Sequence, residues 1–412
     1  MPSNAESPAP GTLTIDGFTV SDRLAPTTGQ EAAKMLADAR ARGITVAPVG
    51  GATALGLGNL PERIDAVFET RGLAGIIDYE PTDLVLSVGA GSRLGDVQAV
   101  LGEHGQRLPI DPPGGADATI GGLIATARWG PLRYSAGTLR DLLIGIAVAH
   151  PDGTVSKAGG MVVKNVSGYD MPRLYLGSLG TLGVVVSANF KVLPRPRSEA
   201  TVVATFTTPG DAFTAASRLH TAAEPVAALE VTGGADAWML AARVEGREQT
   251  VELVTARVAR TIGGDVTVLE PTASVDWWES YVKLQQPRDA NADVMIRCGI
   301  RPRDTAALAQ GIAASMETID VRVSHLAASP GIGAVFARLD LGSGGSAERL
   351  AEVQGILLGL AETTVILAAP PAWKRGIDVW GRLPEGFDVM KALRAEFDPA
   401  RTINPGRFAG FL

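Results

Sequence analysis

The first part of the chain alternates short apolar runs with loops that are rich in glycine. Short runs with β-branched residues, bounded by turn residues, predict strands. These runs are residues 44–47, 64–68, 76–79, 84–88, 142–149 and 184–186. Thr28 and Glu31 form a capping box that predicts a helix, and Ser92 is a second candidate helix cap. The order helix, strand, glycine loop is typical of nucleotide-binding folds.

In the second part of the chain the glycine clusters become rare and the pattern repeats. Residues 202–269 and 294–367 each predict strand, helix, strand, strand, helix and strand, which is the ferredoxin-like order. The segment between these halves contains Trp277, Trp278 and Tyr281 and is predicted as a linker. The pattern as a whole therefore predicts an α+β protein.

The predicted domain boundaries follow this change in pattern. Residues 26–196 form the first domain, residues 197–370 form the second domain with its two halves, and residues 371–412 form a tail. Length also favours two domains, because 412 residues exceed the usual size of one domain. The tail is predicted to return to the first domain.

Charge and composition exclude several classes of function. The chain has a net charge of −7, so no excess of Lys and Arg is available to neutralise nucleic-acid phosphates. No apolar run is long enough to span a membrane, and the start of the sequence lacks the basic and apolar regions of a secretory signal. We therefore expect a cytoplasmic protein without a transmembrane segment and without a nucleic-acid partner.

Cysteine and histidine usage argues against metal chemistry in this chain. Cys298 is the only cysteine, which excludes an intrachain disulfide and an iron–sulfur cluster held by this chain alone. His104, His150, His220 and His325 do not show metal-ligand spacing, so we expect no metal site. If electrons move here, an organic cofactor or a partner chain must carry them.

The glycine loops do not match the common nucleotide motifs. A P-loop needs a lysine directly after its second glycine, and Leu57 follows Gly56 at that position. A dinucleotide fingerprint begins at Gly89 and Gly91, but Leu94 stands in place of its third glycine. The P-loop is therefore excluded, and the dinucleotide motif is only a weak near-match.

Four glycine motifs in a fixed order are more specific. They are residues 48–53 (PVGGAT), 119–122 (TIGG), 180–183 (GTLG) and 404–407 (NPGR). Together they resemble the FAD-dependent oxidoreductases of the vanillyl-alcohol-oxidase type, which share the PCMH-type FAD-binding domain. The run GGMVVKNVSGYDMPRLYLGSLGTLGVV, residues 159–185, most resembles the branch formed by the FAD-binding subunits E of bacterial glycolate oxidases.

The resemblance implies an α+β fold with a two-part FAD-binding domain and a cap domain of two ferredoxin-like βαββαβ halves. It implies FAD as the cofactor, held non-covalently, because residues 48–58 contain no histidine where covalent members often attach the flavin. The residues that it assigns to the cofactor lie in the glycine motifs and beside them, where backbone amides are accessible. They are Pro48, Val49, Gly50, Gly51, Ala52, Thr53, Gly115, Thr119, Gly121, Gly122, Thr126, Gly183 and Val184.

The resemblance also implies a role in the oxidation of glycolate or a similar 2-hydroxy acid. Hydride would pass to the flavin, and electrons would pass to a second flavoprotein subunit and an iron–sulfur subunit, which could hold the chain at the inner face of the membrane. The histidine-rich motif of catalytic relatives is missing and only His325 lies in the comparable region, so catalytic residues stay unassigned. Two alternatives stay open: a self-contained oxidase or dehydrogenase for an alcohol or hydroxy acid, and a non-catalytic assembly subunit.

Several charged residues keep two interpretations. Lys164 and Arg140 either neutralise charge on the flavin or form ion pairs with Asp170 and Asp141. Tyr169 beside Asp170 is either half of an acid–base dyad or a tyrosine that packs on the sheet before a helix cap.

The same ambiguity applies to a second group of residues. Arg133 and Tyr134 either face a carboxylate substrate or lie in solvent. Trp277, Trp278 and Trp373 either form an aromatic lid or serve packing or a subunit interface.

Overall fold

The computed structural model describes residues 11–161, 169–234, 237–289 and 293–412. Helices and strands are mixed along these residues. The strands of the first part are β1 (Leu13–Ile15), β2 (Phe18–Val20), β3 (Arg23–Leu24), β4 (Val46–Val49), β5 (Ala66–Glu69), β6 (Ile76–Glu80), β7 (Val85–Gly89), β8 (Gln106–Arg107), β9 (Leu143–Ala149), β10 (Val155–Gly159), β11 (Val184–Lys191) and β12 (Leu193–Pro194). Its helices are α1 (Gly29–Ala41), α2 (Leu94–Glu103), α3 (Ile120–Thr126), α4 (Arg133–Ala136), α5 (Leu139–Leu142) and α6 (Met171–Tyr175).

Two sheets of the first part share helix α1 as a common core element. Strands β3, β5 and β4 form a parallel sheet in this order, and β10, β9, β11, β7 and β6 form an antiparallel one. Ala32 and Leu36 of α1 pack in one cluster with Phe68 of the parallel sheet and with Ala147 and Val184 of the antiparallel sheet. Helix α1 therefore packs against both sheets and joins β4, which precedes the first glycine loop, to β11, which follows the motif at residues 180–183.

The start of helix α1 follows the predicted capping pattern with one difference. The Thr28 hydroxyl accepts the N–H of Glu31 at 3.1 Å, which is the predicted cap. The Glu31 carboxylate accepts the N–H of Thr27 at 2.8 Å, one residue earlier than a capping box requires. Gly43, with φ of 65°, follows the helix end in the left-handed conformation.

The predicted cap at Ser92 is wrong. Helix α2 has Arg93 at its N-cap position, without a side-chain cap bond. The Ser92 hydroxyl instead accepts the N–H of Gly75 at 2.8 Å, so it joins the loop after β7 to the residue directly before β6.

The interpretation that Tyr169 packs on the sheet is also wrong, because this residue is 92% exposed. Asp170 precedes helix α6 as predicted, with Pro172 in the first turn. Its carboxylate lies 2.5 Å from Nε of Arg173 and makes no cap hydrogen bond.

In its described residues, the second part of the chain contains one large sheet and six α-helices. Its strands are β13 (Ser198–Phe206), β14 (Ala228–Gly233), β15 (Trp238–Gly246), β16 (Val266–Leu269), β17 (Val294–Gly299), β18 (Arg322–Ser329), β19 (Ala334–Asp340) and β20 (Thr363–Ala368). Its helices are α7 (Pro209–Thr221), α8 (Glu248–Ile262), α9 (Pro271–Lys283), α10 (Thr305–Thr318), α11 (Ala347–Leu360) and α12 (Phe387–Phe397). Among the described helices, none has the length and apolar character needed to cross a membrane.

The strands of the large sheet run antiparallel in the order β16-β13-β15-β14-β18-β19-β17-β20. Within each half, the strands lie in the order fourth, first, third, second along the chain. The halves join where β14 pairs with β18, with Val231 opposite Ala328. The two halves therefore share one continuous sheet.

The two faces of this sheet have different partners. Helices α7, α8, α10 and α11 cover one face and share its largest apolar cluster. Helix α9 covers part of the other face, where Trp278 and Tyr281 are buried in a cluster with Ala241 and Ala327. The predicted linker thus contains a helix, because its aromatic residues recur at helical spacing and bury against the sheet. The first part reaches the same face through Trp129, whose ring centroid lies 5.5 Å from that of Phe336.

The tail returns to the parallel sheet of the first part. The Val46 N–H donates to the carbonyl of Thr402 at 2.8 Å, and the Asn404 N–H donates to the carbonyl of Val46 at 3.0 Å. Ile403 lies between them in a parallel bridge and is fully buried. The tail therefore extends the sheet beside β4, directly before the first glycine loop.

Candidate cofactor site

A cleft forms where the glycine loop after β4 meets the segment around α3 and the turn before β11. It contains about 930 Å³ of space, which includes the part that opens to solvent. The sequence-predicted residues that line it are Pro48, Val49, Gly50, Gly51, Ala52, Thr53, Thr119, Gly121, Gly122, Thr126, Gly183 and Val184. Gly115 begins a short 3₁₀ turn and is not part of this lining. The fold thus brings together segments that are far apart in the sequence.

Gly50 and Gly51 allow two loops of the cleft to meet closely. A Cβ atom at Gly50 would overlap the Thr119 hydroxyl, and one at Gly51 would overlap the carbonyl oxygen of Asp117. The Thr119 hydroxyl also accepts the N–H of Gly51 at 3.3 Å. These glycines are therefore required for loop packing, in addition to any contact with a ligand.

The first glycine loop also offers free backbone donors. Within the described part of the chain, the N–H groups of Gly50, Ala52 and Thr53 have no hydrogen-bond partner, and all three residues line the cleft. Ala52 has a φ of 59°, the left-handed conformation, and backbone turns of this kind form concavities that bind anions. This donor set fits the pyrophosphate of a dinucleotide cofactor.

The remaining wall of the cleft comes from β11 and the tail. Gly183, with φ of 153°, lies against β9, where a Cβ would be 2.6 Å from Cγ1 of Val148. Val184 begins β11 beside it. The Asn404 side-chain amide donates to the carbonyl of Leu179 at 2.7 Å, and both residues line the cleft. The tail is therefore part of the site.

Three buried charged side chains anchor the tail to the loop that follows the predicted cofactor residues. Oδ1 of Asp16 lies 2.7 Å from Nζ of Lys374, and Oδ2 of Asp16 lies 2.6 Å from Nη1 of Arg407. The side chains of Asp16, Lys374 and Arg407 are only 3%, 1% and 7% exposed. We call these residues the Asp16 triad. Burial lowers the pKa of Lys374, against the opposing effect of Asp16.

The cations of the Asp16 triad also fix the backbone of that loop. Nζ of Lys374 donates to the carbonyls of Gly56 and Gly58 at 3.0 and 3.1 Å. Nη2 of Arg407 donates to the carbonyls of Leu55 and Leu57 at 2.5 and 2.6 Å. Sequence reasoning missed this triad, because its members are far apart in the chain and only Arg407 lies in a recognisable motif.

Arg128 is a charged residue of the cleft wall without a carboxylate partner in the described chain. Its Nη1 donates to the carbonyl of Thr53 at 3.1 Å. Burial, and then the charge of Arg297, lower the pKa of Arg128 to about 10. At neutral pH this side chain is therefore still a cation.

Arg133 and Tyr134 lie near the cleft but do not line it. The Arg133 guanidinium carbon lies 4.4 Å from the centroid of the Trp129 ring, a cation–π geometry. The Tyr134 hydroxyl lies 3.2 Å from Nδ1 of His220. Arg133 is therefore half-buried on an aromatic ring instead of fully solvated.

Two carboxyl groups lie at the contact between the first part and the large sheet. Glu230 of β14 is fully buried and accepts hydrogen bonds from the hydroxyls of Tyr281 at 2.6 Å and Ser329 at 2.7 Å. Burial raises the pKa of Glu230 to about 8. Both oxygens of Asp111 accept the N–H of Leu132 at 3.1 Å, and burial raises the pKa of Asp111 to about 7. Neither carboxyl group lines the cleft.

No described residue that lines the cleft is a histidine, a cysteine or a tyrosine. His325 is placed on β18, where its Nε2 lies 3.1 Å from the Thr232 hydroxyl. Burial, with the nearby charges of Arg338 and Arg288, lowers the pKa of His325 to about 4, so its ring is neutral near pH 7.

For some of the other residues with two interpretations, the structure shows which interpretation applies. Lys164 lies outside the described residues. The Asp141 carboxylate caps helix α5 by accepting the N–H of Thr138 at 2.8 Å, and it makes no ion pair with Arg140. Trp278 is 3% exposed, and Trp373 packs against the largest apolar cluster. Both tryptophans therefore serve packing.

Comparison with known proteins identifies the cofactor class. The family described as an FAD binding domain matches residues 23–159, which contain the first glycine loop and helix α3 of the cleft. The chain therefore contains an FAD binding domain, and FAD is its cofactor.

Relatives among characterised proteins cover the chain to different extents. The glycolate oxidase subunit GlcE of Escherichia coli is 43% identical over 131 residues, which are 32% of this chain and 37% of that protein. The D-lactate dehydrogenase of Archaeoglobus fulgidus is 26% identical over 415 aligned positions, 93% of this chain and 90% of that protein. The match thus spans little more than a third of GlcE.

The same fold occurs in solved structures. An alkyldihydroxyacetonephosphate synthase superposes with a TM-score of 0.72 at 15% sequence identity, covering 94% of this chain and 77% of that one. At this identity the likeness concerns the fold alone.

Proposed function

We propose that this chain is an FAD-dependent oxidoreductase subunit that takes part in the oxidation of glycolate or a similar 2-hydroxy acid. Bound FAD supplies the hydride acceptor for such a reaction. The observation that carries the proposal is the cleft, in which unpaired N–H groups lie in one wall with the unpaired charge of Arg128. The cleft thus has donors for the phosphates of a cofactor and a positive charge for an anionic substrate. Similarity to GlcE and to a D-lactate dehydrogenase supports the substrate class.

The residues proposed to hold FAD are the predicted residues that line the cleft, with Gly115 in the adjoining turn. The N–H groups of Gly50, Ala52 and Thr53 would donate to the pyrophosphate, as unpaired amides of a concave loop do. Gly183 and Val184 would bound the nucleotide end, where the absence of a side chain at Gly183 leaves β9 within contact.

The proposed domain roles follow the predicted boundaries. Residues 26–196 are the FAD-binding domain of the PCMH type, residues 197–370 are a cap domain with two ferredoxin-like halves, and residues 371–412 are the returning tail. The contact between Trp129 and Phe336 supports the cap role, because it brings one face of the large sheet to the side of the FAD-binding domain.

We further propose that FAD is bound non-covalently. The described cleft lining lacks the histidine, cysteine and tyrosine side chains that form bonds to flavins. Acid precipitation of the purified chain should release the yellow cofactor into the supernatant. Colour that stays in the pellet after washing would refute this part of the proposal.

The proposed electron acceptors are a second flavoprotein subunit and an iron–sulfur subunit. Cys298, the only cysteine of the chain, is buried, and burial raises its pKa to about 11. This chain alone therefore lacks the thiolates that an iron–sulfur cluster needs. We propose a cytoplasmic location, including the inner face of the membrane when partners hold the chain there.

Anaerobic mixing of the FAD-loaded chain with glycolate or D-lactate tests the proposal. We expect the visible flavin band to bleach only when the chain is co-purified with its partner subunits. Bleaching of the isolated chain would favour a self-contained dehydrogenase. A chain that cannot be loaded with FAD would refute both.

The cleft chemistry supports a second candidate, a non-catalytic assembly subunit. The only charged side chains in the described cleft lining are Arg128 and Arg407, and arginine is a poor general base because it stays protonated. Under this alternative, partner subunits would keep full turnover when the chain carries a variant that abolishes FAD binding. Loss of turnover with such a variant would exclude it.

A further inference from the structure

Three arginines lie at the junction between the cleft and the large sheet without a carboxylate partner. They are Arg128, Arg133 and Arg297, called here the arginine cluster. No described carboxylate oxygen forms an ion pair with any of them, in contrast to other arginines of the same region. Arg243 pairs with Glu199 at 2.6 Å and with Glu245 at 3.2 Å, and Arg338 pairs with Asp293.

Ring contacts and strand register place the members of the arginine cluster together. Arg297 belongs to β17, whose neighbouring residues Ile296 and Cys298 lie in the helix-covered core. Strand alternation therefore places Arg297 on the opposite face, where its register partner on β19 is Phe336. Phe336 contacts Trp129, and Arg133 stacks on the other ring of that pair.

Arg128 links this cluster to the cofactor site. It follows helix α3 one residue before Trp129, donates to Thr53 of the first glycine loop and lines the cleft. Arg133 and Arg297 do not line the cleft itself. A cofactor held by the cleft therefore leaves at least these two charges for another ligand.

The three cations repel one another in a partly desolvated place. Burial, followed by the charge of Arg133, lowers the pKa of Arg297. Burial also lowers the pKa of Arg133, against the opposing effect of the Asp141 carboxylate, which lies near it without forming an ion pair. Arginine nevertheless stays protonated at neutral pH. Buried charges of one sign are costly unless counter-charges accompany them, so the cluster is built for an anion that the described chain does not contain.

We propose that the arginine cluster binds a substrate with two anionic groups, so that the preferred 2-hydroxy acid is a dicarboxylate. This inference rests on the proposed function. A monocarboxylate such as glycolate neutralises one of the three charges and leaves two uncompensated. A 2-hydroxy dicarboxylate neutralises two, and its second carboxylate can engage a guanidinium fork in bidentate geometry.

Calorimetric titration of the full-length, FAD-loaded chain tests the proposal without turnover. The probes are glutarate and valerate, which have the same chain length but two and one carboxylates. We expect glutarate to bind at least about tenfold more tightly, because charge-assisted hydrogen bonds to the second carboxylate add affinity. Equal affinities would overturn the proposal.

Variants assign the binding to the cluster. Arg297→Gln should remove most of the preference for glutarate, and Arg297→Lys should keep part of it, because lysine retains the charge without the fork. Arg303→Gln is the matched control, since that side chain is 73% exposed and lies in the turn that follows β17, the strand of Arg297. A preference that persists in Arg297→Gln, or that falls equally in Arg303→Gln, refutes the assignment.

Folding and function are separated by two further measurements. Melting curves should show Arg297→Gln as stable as the parent chain, since removing one of three repelling charges costs little. If it does not fold, Arg133→Gln on the short helix α4 must give the same loss of preference.

Anaerobic flavin reduction by glycolate and by 2-hydroxyglutarate, with partners present, tests the proposed function separately. Reduction without a glutarate preference refutes the inference alone. Absence of reduction by either acid refutes the proposed function, and a glutarate preference would then show only that the cluster binds a dianion.

Discussion

The Asp16 triad makes a strong prediction about the coupling between tail and cofactor loop. Asp16→Asn keeps the shape of the side chain but removes the one carboxylate that pairs with the buried cations Lys374 and Arg407 among the described residues. Removing one partner of a buried ion pair typically costs about 3–5 kcal/mol. Both cations keep backbone carbonyl acceptors, so we expect the lower end of that range, about 3 kcal/mol.

This loss translates into a clear change in melting temperature. Each kcal/mol shifts the transition of a domain of this size by about 2–4 °C, so the domain that contains the triad should melt about 6–12 °C lower. The assay is thermal unfolding followed by the fluorescence of released flavin and by circular dichroism. FAD affinity should fall too, because the triad fixes the loop that follows Gly50 to Ala54.

Asp388→Asn is the control for this prediction. Asp388 pairs with Lys391 at 2.7 Å, but its side chain is 93% exposed, and exposed pairs contribute about 0–1 kcal/mol. A shift in Asp16→Asn no larger than that in Asp388→Asn would refute the reasoning. Adding Lys374→Met to Asp16→Asn should recover stability, since it removes an uncompensated buried charge, and a further loss would contradict that cause.

Two further predictions concern the cofactor loop and the sheet. Gly51→Ala should abolish FAD binding, because its methyl group would overlap the Asp117 carbonyl, whereas Gly56→Ala, whose nearest neighbour would be 3.9 Å away, should bind FAD normally in an equilibrium titration. Burial raises the pKa of Glu230 from 4.5 to about 8, so its contribution to stability is complete below pH 4.5 and is lost as the pH rises through about 8. As the pH rises from about 5 to about 9, the melting temperature of Glu230→Gln should therefore increase relative to that of the parent chain. Parallel curves of melting temperature against pH would contradict this prediction.

Elements set by local pattern could be predicted from the sequence. The run at residues 142–149 is strand β9, which begins one residue later. The run at residues 44–47 is β4, which lies two residues further on at Val46–Val49, because the Ile44 N–H still bonds to Ala39 of helix α1 at 2.9 Å. The residues predicted to hold the cofactor could be proposed from the sequence for the same local reason, because they lie in or beside short glycine motifs.

Features that depend on distant partners could not be predicted. Ser92 has the chemistry of a helix cap, but its hydroxyl accepts a hydrogen bond from the Gly75 N–H instead. Arg128 stands next to the predicted cofactor segments, yet its lack of a carboxylate becomes meaningful only when the sheet brings Arg297 near it. The Asp16 triad likewise depends on the path of the tail, which no short motif encodes.

The pairing of residues 402–404 with β4 has a consequence for the order of folding. The edge of β4 that precedes the first glycine loop finds its partner only after the large sheet and helix α12 have been synthesised. Asn404 and Arg407, which complete the cleft, arrive at the same late moment. Closing so long a loop is slow relative to local folding, so the nascent first domain should wait for the tail before it captures FAD. A fragment cut to residues 23–159 would retain the glycine loop but should bind the cofactor weakly.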